Sequence, residues 1–124
     1  MILDQVPAPP LAPDCRVTPG SSEGVAVLHV QGDLVARSAQ VLRAELAEAV
    51  TAPRVLLELS GVTSLDTVGL GALIGAVRNI HEAGGQVALA SARAPVDTFL
   101  RSAGMDRLLV VAESAESALR SLME

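Results

Sequence analysis

The amino-acid sequence predicts a single α/β domain, in which a small mixed β-sheet of four to five strands is packed by about four helices. Three observations predict this class. Short runs of β-forming residues alternate with segments in which apolar residues recur every three or four positions. Clusters of Gly and Pro separate the two kinds of segment. Strands that alternate with helices are joined by crossovers, so most of them pair in parallel.

The first ordered segments are two strands. Cys15 to Thr18 predicts a short strand, and the run PGSS that follows it has the composition of a turn. Val25 to Val30 is rich in β-forming residues and predicts a second strand that stops at Gly32. Because only a few residues separate the two strands, they can pair as an antiparallel hairpin.

The middle of the chain predicts helix, strand and helix. A helical pattern begins at Ser38 and is closed by Pro53, and Val55 to Leu59 is an apolar strand. Gly69 to Ala83 predicts the next helix, which Gly84 and its neighbour stop. Its apolar stripe comprises Leu70, Leu73, Ile74, Val77 and Ile80.

The last third repeats the alternation. Gln86 to Ala90 predicts a strand, and Pro95 suits the first turn of an amphipathic helix that ends at Gly104. Leu108 to Val111 predicts the last strand, and Ser114 to Met123 predicts a closing helix. The predicted order is therefore β-β-α-β-α-β-α-β-α.

Length and hydropathy set the domain boundaries and the expected location. Residues 1–14 carry four prolines and no periodicity, which predicts a flexible N-terminal arm before a folded domain at 15–124. The longest uncharged apolar stretch has ten residues, Val68 to Val77, whereas a membrane span needs about 20. The N-terminus lacks the pattern of a secretory signal, so we expect a cytoplasmic protein.

Composition disfavours several function classes. The net charge is −5, and the nine arginines are scattered, which argues against a surface that binds nucleic acid. One cysteine and two histidines cannot assemble a zinc-type site, and Phe99 is the only aromatic residue. The sequence also contains no G-x-S-x-G elbow, and the acids Glu58 and Asp66 lack a nucleophile. We therefore expect no metal, no cofactor and no enzymatic activity.

Asp66 and Thr67 are the candidate functional residues. They stand where a strand-side loop enters a helix, and either side chain could cap an amide of the first turn. A hydroxyl at this position could equally be phosphorylated, which would add a charge of about −1.5 to −2 beside the helix dipole. Free amides of the glycine-flanked turn would then hold the phosphate oxygens. The residue pattern alone leaves both interpretations open.

Small residues of the same helix are a second candidate feature. Gly71, Ala72, Gly75 and Ala76 are placed opposite the apolar stripe. Small side chains allow a close approach of another backbone, which could belong to the domain's own sheet or to another protein.

The chain resembles the STAS domain family, and within it the bacterial anti-sigma factor antagonists. The run VLLELSGVTSLDTVGLGALIGAV is similar to the family's strand, turn and D-[ST]-[ST]-G-L-G motif. The downstream G-G, A-P-V and G-M-D-R-L stretches also match, so the resemblance extends from about Val25 to Leu122. In this family the hydroxyl directly after the Asp is phosphorylated, and the matching residue is Thr67.

The resemblance implies a partner-switching function. The unphosphorylated domain would bind an anti-sigma factor, which is usually also a GHKL-type serine/threonine kinase, and thereby release a sigma factor. That kinase would phosphorylate Thr67 with ATP and magnesium and weaken the complex, and a phosphatase would restore it. The implied partner-binding residues are Asp33, Asp66, Thr67, Val68, Gly69, Leu70, Gly71 and Gly75.

Four positions differ from the family's usual residues, and one of them is Thr67, where Ser is commoner. The family's G-[ED]-L-D loop ends here in Val35, Glu58 stands where Asp or Asn is usual, and Val68 replaces a second small hydroxyl residue. An alternative function therefore stays open, in which the domain is a constitutively docked STAS subunit of a larger assembly, such as a lipid-transport ATPase complex or a stressosome-like scaffold. In that case Thr67 would serve only as a cap.

Overall fold

The computed structural model describes residues 15–49 and 53–124, and the arm predicted at residues 1–14 lies outside this part of the chain. The elements are β1 (Cys15–Ser22), β2 (Val25–Leu34), a 3-10 turn (Ala36–Ser38), α1 (Ala39–Ala49), β3 (Arg54–Leu65), α2 (Thr67–Glu82), β4 (Gln86–Ala90), α3 (Val96–Ser102), α4 (Met105–Leu108), β5 (Val110–Ala112) and α5 (Ala115–Met123).

The five strands form one mixed sheet in the order β1-β2-β3-β4-β5. β1 pairs with β2 in antiparallel orientation, and every later pair is parallel. The predicted hairpin and the predicted parallel crossovers are therefore confirmed. β2, β3 and β4 are each followed by helical segments that carry the chain back to the start of the next parallel strand, whereas α5 follows the last strand.

The hairpin turn differs from the prediction. The run PGSS, predicted as a turn, lies within β1, and Pro19 pairs with Leu28 of β2. The chain turns instead at Glu23 and Gly24, which both have positive φ angles of 52° and 82°. A two-residue turn with positive φ at both positions fits the twist of an antiparallel hairpin. Proline is tolerated in β1 because this strand lies at the edge of the sheet.

Both central strands are longer than predicted. β2 continues beyond Gly32 to Leu34, and β3 continues beyond Leu59 to Leu65. The S-G-V segment, residues 60–62, matches the turn of the family motif but is part of β3, where Gly61 pairs with Gln31 of β2. Pairing with a long neighbouring strand overrides the local turn propensity of Ser and Gly.

The segment after α3 also needs a correction. The predicted strand from Leu108 to Val111 is replaced by the short helix α4 and by β5, which begins at Val110. Gly104 has a φ of 82° and lies between α3 and α4. The helical turn after it places Met105 in the core, where it is fully buried. Tertiary packing therefore decides the conformation of a segment with no clear periodicity.

The sheet separates two apolar cores. α1, α2 and α3 cover one face, and their core includes Leu28, Leu57 and Leu89. α5 covers part of the other face through Ala118 and Leu122. Because successive side chains of a strand point to opposite faces, β2 and β3 contribute residues to both cores.

The two edge strands are partly blocked. Pro19 lacks a backbone donor on the outer strand β1. On β5, the Ala112 carbonyl accepts a hydrogen bond from the amide of Ser91 at the end of β4, so the Val111 carbonyl points to the outside. The Arg101 guanidinium donates to that carbonyl at 3.4 Å.

Candidate functional site

The chain brings the ends of β2 and β3 and the start of α2 together at one edge of the sheet. Leu34 and Leu65, the last residues of the two strands, are partners in parallel register. α2 begins two residues later, at Thr67. The carboxyl ends of parallel strands meet at one edge, which is a common place for functional side chains. We call this region the Thr67 edge, and it comprises Asp33, Thr63, Ser64, Asp66 and Thr67.

Asp66 connects the start of α2 to the turn that precedes α1. Its Oδ1 accepts a hydrogen bond from the Gly69 amide at 2.8 Å, so it is the N-cap of α2. Its Oδ2 accepts from the Ala36 amide at 3.0 Å, in the turn that precedes α1. Its own backbone amide donates to the Leu34 carbonyl at 3.1 Å. The capping role predicted for this position therefore belongs to Asp66, whereas Thr67 is the first residue inside the helix.

These hydrogen bonds also set the charge of Asp66. The bond from the Gly69 amide holds the pKa of the Asp66 carboxyl below its ordinary value of 3.8, and the bond from Ala36 acts in the same direction. Partial burial opposes both effects by raising the pKa. Since lowering prevails, Asp66 is a carboxylate at neutral pH and contributes a fixed negative charge beside Thr67.

Asp33 is held by hydroxyl groups from the end of β3. Its Oδ1 accepts hydrogen bonds from Thr63 Oγ1 at 2.5 Å and from Ser64 Oγ at 2.8 Å. The bond from Thr63 is the main reason why the pKa of the Asp33 carboxyl lies below its ordinary value, followed by the bond from Ser64. The nearby charge of Arg37 lowers this pKa further. Asp33 is therefore a second fixed carboxylate on the same edge.

Thr67 and Val68 form the outward-facing part of the α2 start. Both residues are exposed, and 42% of the surface of Val68 is accessible. Within the part of the chain that the structure describes, the Thr67 hydroxyl has no hydrogen-bond partner. An unpaired hydroxyl at the surface, next to an exposed apolar side chain, is open both to a modifying enzyme and to a docking protein.

Gly69 and Leu70 pack the start of α2 against the rest of the domain. Both are buried, so a partner can reach them only through their neighbours. A Cβ atom on Gly69 would collide with the carbonyl oxygen of Leu34, which explains why only glycine fits there. The Gly69 amide, predicted to be free for phosphate oxygens, is bonded to Asp66 instead. Gly69 therefore serves the packing of α2 against the end of β2.

The small residues of α2 do not share one face. Ala72 is buried, contrary to the prediction that it lies opposite the apolar stripe, because it faces the core. Gly71 is exposed and Gly75 is half-buried, and a Cβ atom on either would meet nothing within 4 Å. Gly75 lines a groove of about 580 Å³ between α1 and α2. Gly71 and Gly75 therefore lie beside open space and are accessible to a partner.

Other polar candidates lie away from the Thr67 edge. Glu58 is in the middle of β3. Its carboxylate oxygen Oε1 lies 3.8 Å from His29 Nδ1 and accepts a hydrogen bond from Ser60 Oγ at 2.8 Å. Eight residues of nearly extended chain, about 26 Å, separate it from Asp66. His81 lies in the last turn of α2, at the opposite end of the helix from Thr67. The suggested pair of Glu58 and Asp66 does not form.

Sequence reasoning missed the partners of Asp33. Thr63 and Ser64 are separated from Asp33 by about 30 positions, and only the parallel register of β2 and β3 brings them together. The signal that could have found them is the T-S-L-D run, if β3 had been extended to its end and aligned with the G-D-L segment of β2.

The described residues, 15–49 and 53–124, include no cluster of three or more His, Cys, Asp or Glu side chains able to hold a metal ion. In the same part of the chain, every helix is too short or too polar to cross a bilayer. The Thr67 edge combines an exposed hydroxyl next to the cap Asp66, a second carboxylate at Asp33 near the end of β2, and the exposed apolar side chain of Val68. Such a surface suits recognition by another protein.

Comparison with known proteins identifies the family. A family profile described as "Mlab, STAS domain" matches residues 17–111, which is more than half of the chain. The chain belongs to the STAS domain family. The resemblance of the motif around Asp66 and Thr67 to this family is therefore confirmed, and the STAS fold accounts for the mixed five-stranded sheet.

Three similar proteins show the settings in which this STAS domain fold occurs. An anti-sigma F factor antagonist of Paenibacillus polymyxa is 24% identical over 102 residues, which span 80% of this chain and 87% of the relative. The crystal structure of an anti-sigma factor antagonist from Mycobacterium paratuberculosis has a TM-score of 0.81 and 24% identity, and the match spans 91% and 98% of the two chains. A sulfate transporter family protein from Wolinella succinogenes has a TM-score of 0.70 and 20% identity, over 82% and 87% of the chains.

Proposed function

We propose that this STAS domain is an anti-sigma factor antagonist that is switched by phosphorylation of Thr67. The observation that carries the proposal is the exposed, unpaired hydroxyl of Thr67 at the first position of α2, beside the cap Asp66. The similarity to anti-sigma factor antagonists over four-fifths or more of the chain supports the choice of partner. The domain acts by binding and is not itself an enzyme.

In the unphosphorylated state, the Thr67 edge binds an anti-sigma factor and frees the sigma factor. Val68 supplies an exposed apolar contact, and Gly71 and Gly75 allow a partner to approach α2 closely. The carboxylates of Asp33 and Asp66 add fixed negative charge at the rim of this surface. The proposed partner-binding set remains Asp33, Asp66, Thr67, Val68, Gly69, Leu70, Gly71 and Gly75. Gly69 and Leu70 are buried, so they contribute by holding the exposed residues of α2 in place.

Phosphorylation of Thr67 changes the electrostatics of this surface. The phosphate brings a charge of about −1.5 to −2 next to the Asp66 carboxylate, on the same edge of the sheet as the Asp33 carboxylate. Gly69, whose amide would otherwise attract the phosphate, already donates to Asp66. The modified surface must therefore lose solvation around three anionic groups when a partner docks, and this loss disfavours binding unless the partner supplies cations. The proposed kinase is the anti-sigma factor itself, of the GHKL type, and a phosphatase reverses the reaction in the cytoplasm.

The testing experiment uses the purified chain with each GHKL-type anti-sigma factor of the same genome. The chain is incubated with ATP and magnesium, and intact mass with fragment mapping locates any added phosphate. Thr67→Ala is the variant control, and Thr98→Ala controls for loss of an exposed threonine on another helix. We expect one phosphate on Thr67, absent in Thr67→Ala and retained in Thr98→Ala, together with release of the kinase. Stable binding without any phosphate would contradict the switch.

A second candidate function is a constitutively docked STAS subunit of a larger assembly. Two observations favour it: the matching family profile is described as "Mlab, STAS domain", and one similar structure belongs to a sulfate transporter family protein. Val35 and Val68, which replace polar residues of the antagonist motif, point in the same direction. Under this candidate, Thr67→Glu leaves assembly unchanged, whereas the phosphorylation switch requires it to weaken binding.

A further inference from the structure

A groove between α1 and α2 combines an apolar floor with two basic side chains. It has a volume of about 580 Å³, and its apolar lining includes Leu46, Ala47 and Ala76 together with Gly75. Small residues cannot fill the space between two packed helices, whose axes normally lie about 8–10 Å apart. The open space above Gly75, where an added Cβ would touch nothing within 4 Å, is part of this groove.

The groove carries uncompensated positive charge. Arg43 of α1 and Arg78 of α2 both line it, and both are exposed. Among residues 15–49 and 53–124, neither guanidinium has a hydrogen bond or an ion pair. The acids of α1, Glu45 and Glu48, do not line the groove. In a chain with a net charge of −5, two unpaired arginines beside an apolar floor give this groove the opposite sign from the Thr67 edge.

The backbone around the groove decides the shape of its occupant. The peptide groups of α1 and α2 are hydrogen-bonded within their own helices, so the groove presents no strand edge to an extended peptide. An extended occupant would leave its own amides and carbonyls without partners, whereas a helix satisfies them internally. An amphipathic helix can place an apolar side chain on the floor and carboxylates beside both arginines.

We propose that the α1–α2 groove binds an acidic amphipathic helix of the anti-sigma factor, as a second contact separate from the Thr67 edge. This inference rests on the proposed function for the identity of the partner. Gly75 lies about 12 Å along α2 from Thr67, and Arg78 about 16 Å, at 1.5 Å per residue. Both distances exceed the screening length of about 8 Å at physiological ionic strength, so a phosphate on Thr67 weakens the first contact and leaves the charge of the groove unchanged.

The test measures the affinity of the cognate anti-sigma factor for variants of the full chain by calorimetry. We expect Arg43→Glu with Arg78→Glu to weaken binding at least tenfold and to reduce its salt dependence. Arg93→Glu, an exposed arginine outside the groove, is the charge control and should change affinity less than twofold. Gly75→Leu should fill the groove and weaken binding at least tenfold without a loss of melting temperature. Ser117→Leu on α5 is its size control.

The outcomes separate the groove from the phosphorylation switch. Wild-type affinity in the arginine double variant, with weakened binding in Thr67→Glu, overturns the groove and leaves the phosphorylation switch standing. Weakened binding in the groove variants, with wild-type affinity in Thr67→Glu and no phosphate on Thr67, overturns the switch and supports the groove. If no anti-sigma factor binds the wild-type chain, both proposals fail.

Cross-linking identifies the occupant. A photo-reactive group attached at Gly75→Cys, in a Cys15→Ser background, should link to a partner segment that is helical, amphipathic and rich in Asp or Glu. A link to a basic or glycine-rich segment, or to residues 1–14 of this chain, would overturn the assignment of the occupant. Addition of free acidic phospholipid headgroups should not displace the partner, and displacement would indicate an anion site in place of a helix-binding groove.

Discussion

Asp66 uses both of its carboxylate oxygens for structure, one on the α2 amide of Gly69 and one on the amide of Ala36. This arrangement fixes the start of α2 relative to the turn before α1. It also leaves the neighbouring Thr67 with an exposed hydroxyl that has no structural duty among the described residues. A modification of Thr67 can therefore change the surface charge while the fold stays intact.

At Thr67 we expect that Thr67→Glu weakens binding of the anti-sigma factor by about tenfold or more, because a carboxylate there must be desolvated on docking. Thermal unfolding of the free domain should change little, since the side chain is exposed. Thr98→Glu, an exposed threonine on α3, is the matched control and should bind normally. Calorimetric titration measures both variants, and an unchanged affinity for Thr67→Glu would count against the switch.

At Asp33 and Asp66 we expect stability to depend on pH in the acidic range. Both pKa values are lower in the folded chain than the ordinary 3.8, so the unfolded chain binds more protons there. The resulting stabilisation is fully present above about pH 5 and is lost as the pH falls through 3.8 and below. Urea unfolding between about pH 5 and pH 3 should show this decline. The double variant Asp33→Asn, Asp66→Asn should show a flatter profile, and an equally steep profile would disprove the assignment.

At the scale of the element, α2 contains glycines with opposite structural roles. Gly69 touches the carbonyl of Leu34 and admits no side chain, whereas Gly71 and Gly75 lie beside open space. The first glycine allows the helix to pack on the end of β2. The other two reduce the intrinsic stability of the helix and leave its surface accessible to a partner.

Alanine substitutions in α2 should separate these roles. Gly69→Ala should destabilise the fold by about 1–3 kcal/mol, because its methyl group overpacks against backbone. Gly71→Ala and Gly75→Ala should each raise the free energy of unfolding by up to about 1 kcal/mol, because alanine favours the helix. Urea unfolding measures all three variants. Equal stability of Gly69→Ala and Gly71→Ala would show that the Leu34 contact relaxes at no cost.

The elements that could be predicted from the sequence are those with strong local signals. β4 was predicted with its observed bounds, because the glycines before it end α2 and the strand itself is apolar. α4 has only four residues and depends on the burial of Met105. It is too short for a helical periodicity to be visible in the sequence. In the candidate site, the capping position of Asp66 is a local property and was predictable. The hydrogen bonds from Thr63 and Ser64 to Asp33 depend on the register of β2 and β3, so they could not be predicted from local sequence.

At the scale of the whole molecule, the two faces of the sheet are stabilised unequally. The core under α1, α2 and α3 contains most of the large buried side chains. The core under α5 is smaller, and Ala118 and Leu122 are the buried residues that this helix contributes. α5 therefore has less apolar surface holding it to the sheet, and we expect it to open before the central strands do.

Truncation of one residue in each core should reveal this difference. Leu28→Ala, in the larger core, should lower the free energy of unfolding by about 2–5 kcal/mol and speed amide exchange throughout the domain. Leu122→Ala should speed exchange mainly in α5, while β2 and β3 stay protected. Met123→Ala is the control, because Met123 is 46% exposed. Uniform acceleration by Leu122→Ala would show that α5 unfolds only with the rest of the molecule.

The blocked sheet edges bear on how the protein behaves when it is abundant. Pro19 interrupts the donor row of β1, and the Arg101 guanidinium occupies the Val111 carbonyl on β5. Open edges can recruit strands from other copies and start aggregates. The proposed antagonist acts by binding its partner, so every aggregated copy would be lost from the pool that can bind. The blocked edges therefore favour a state in which more of the synthesised protein stays available for binding.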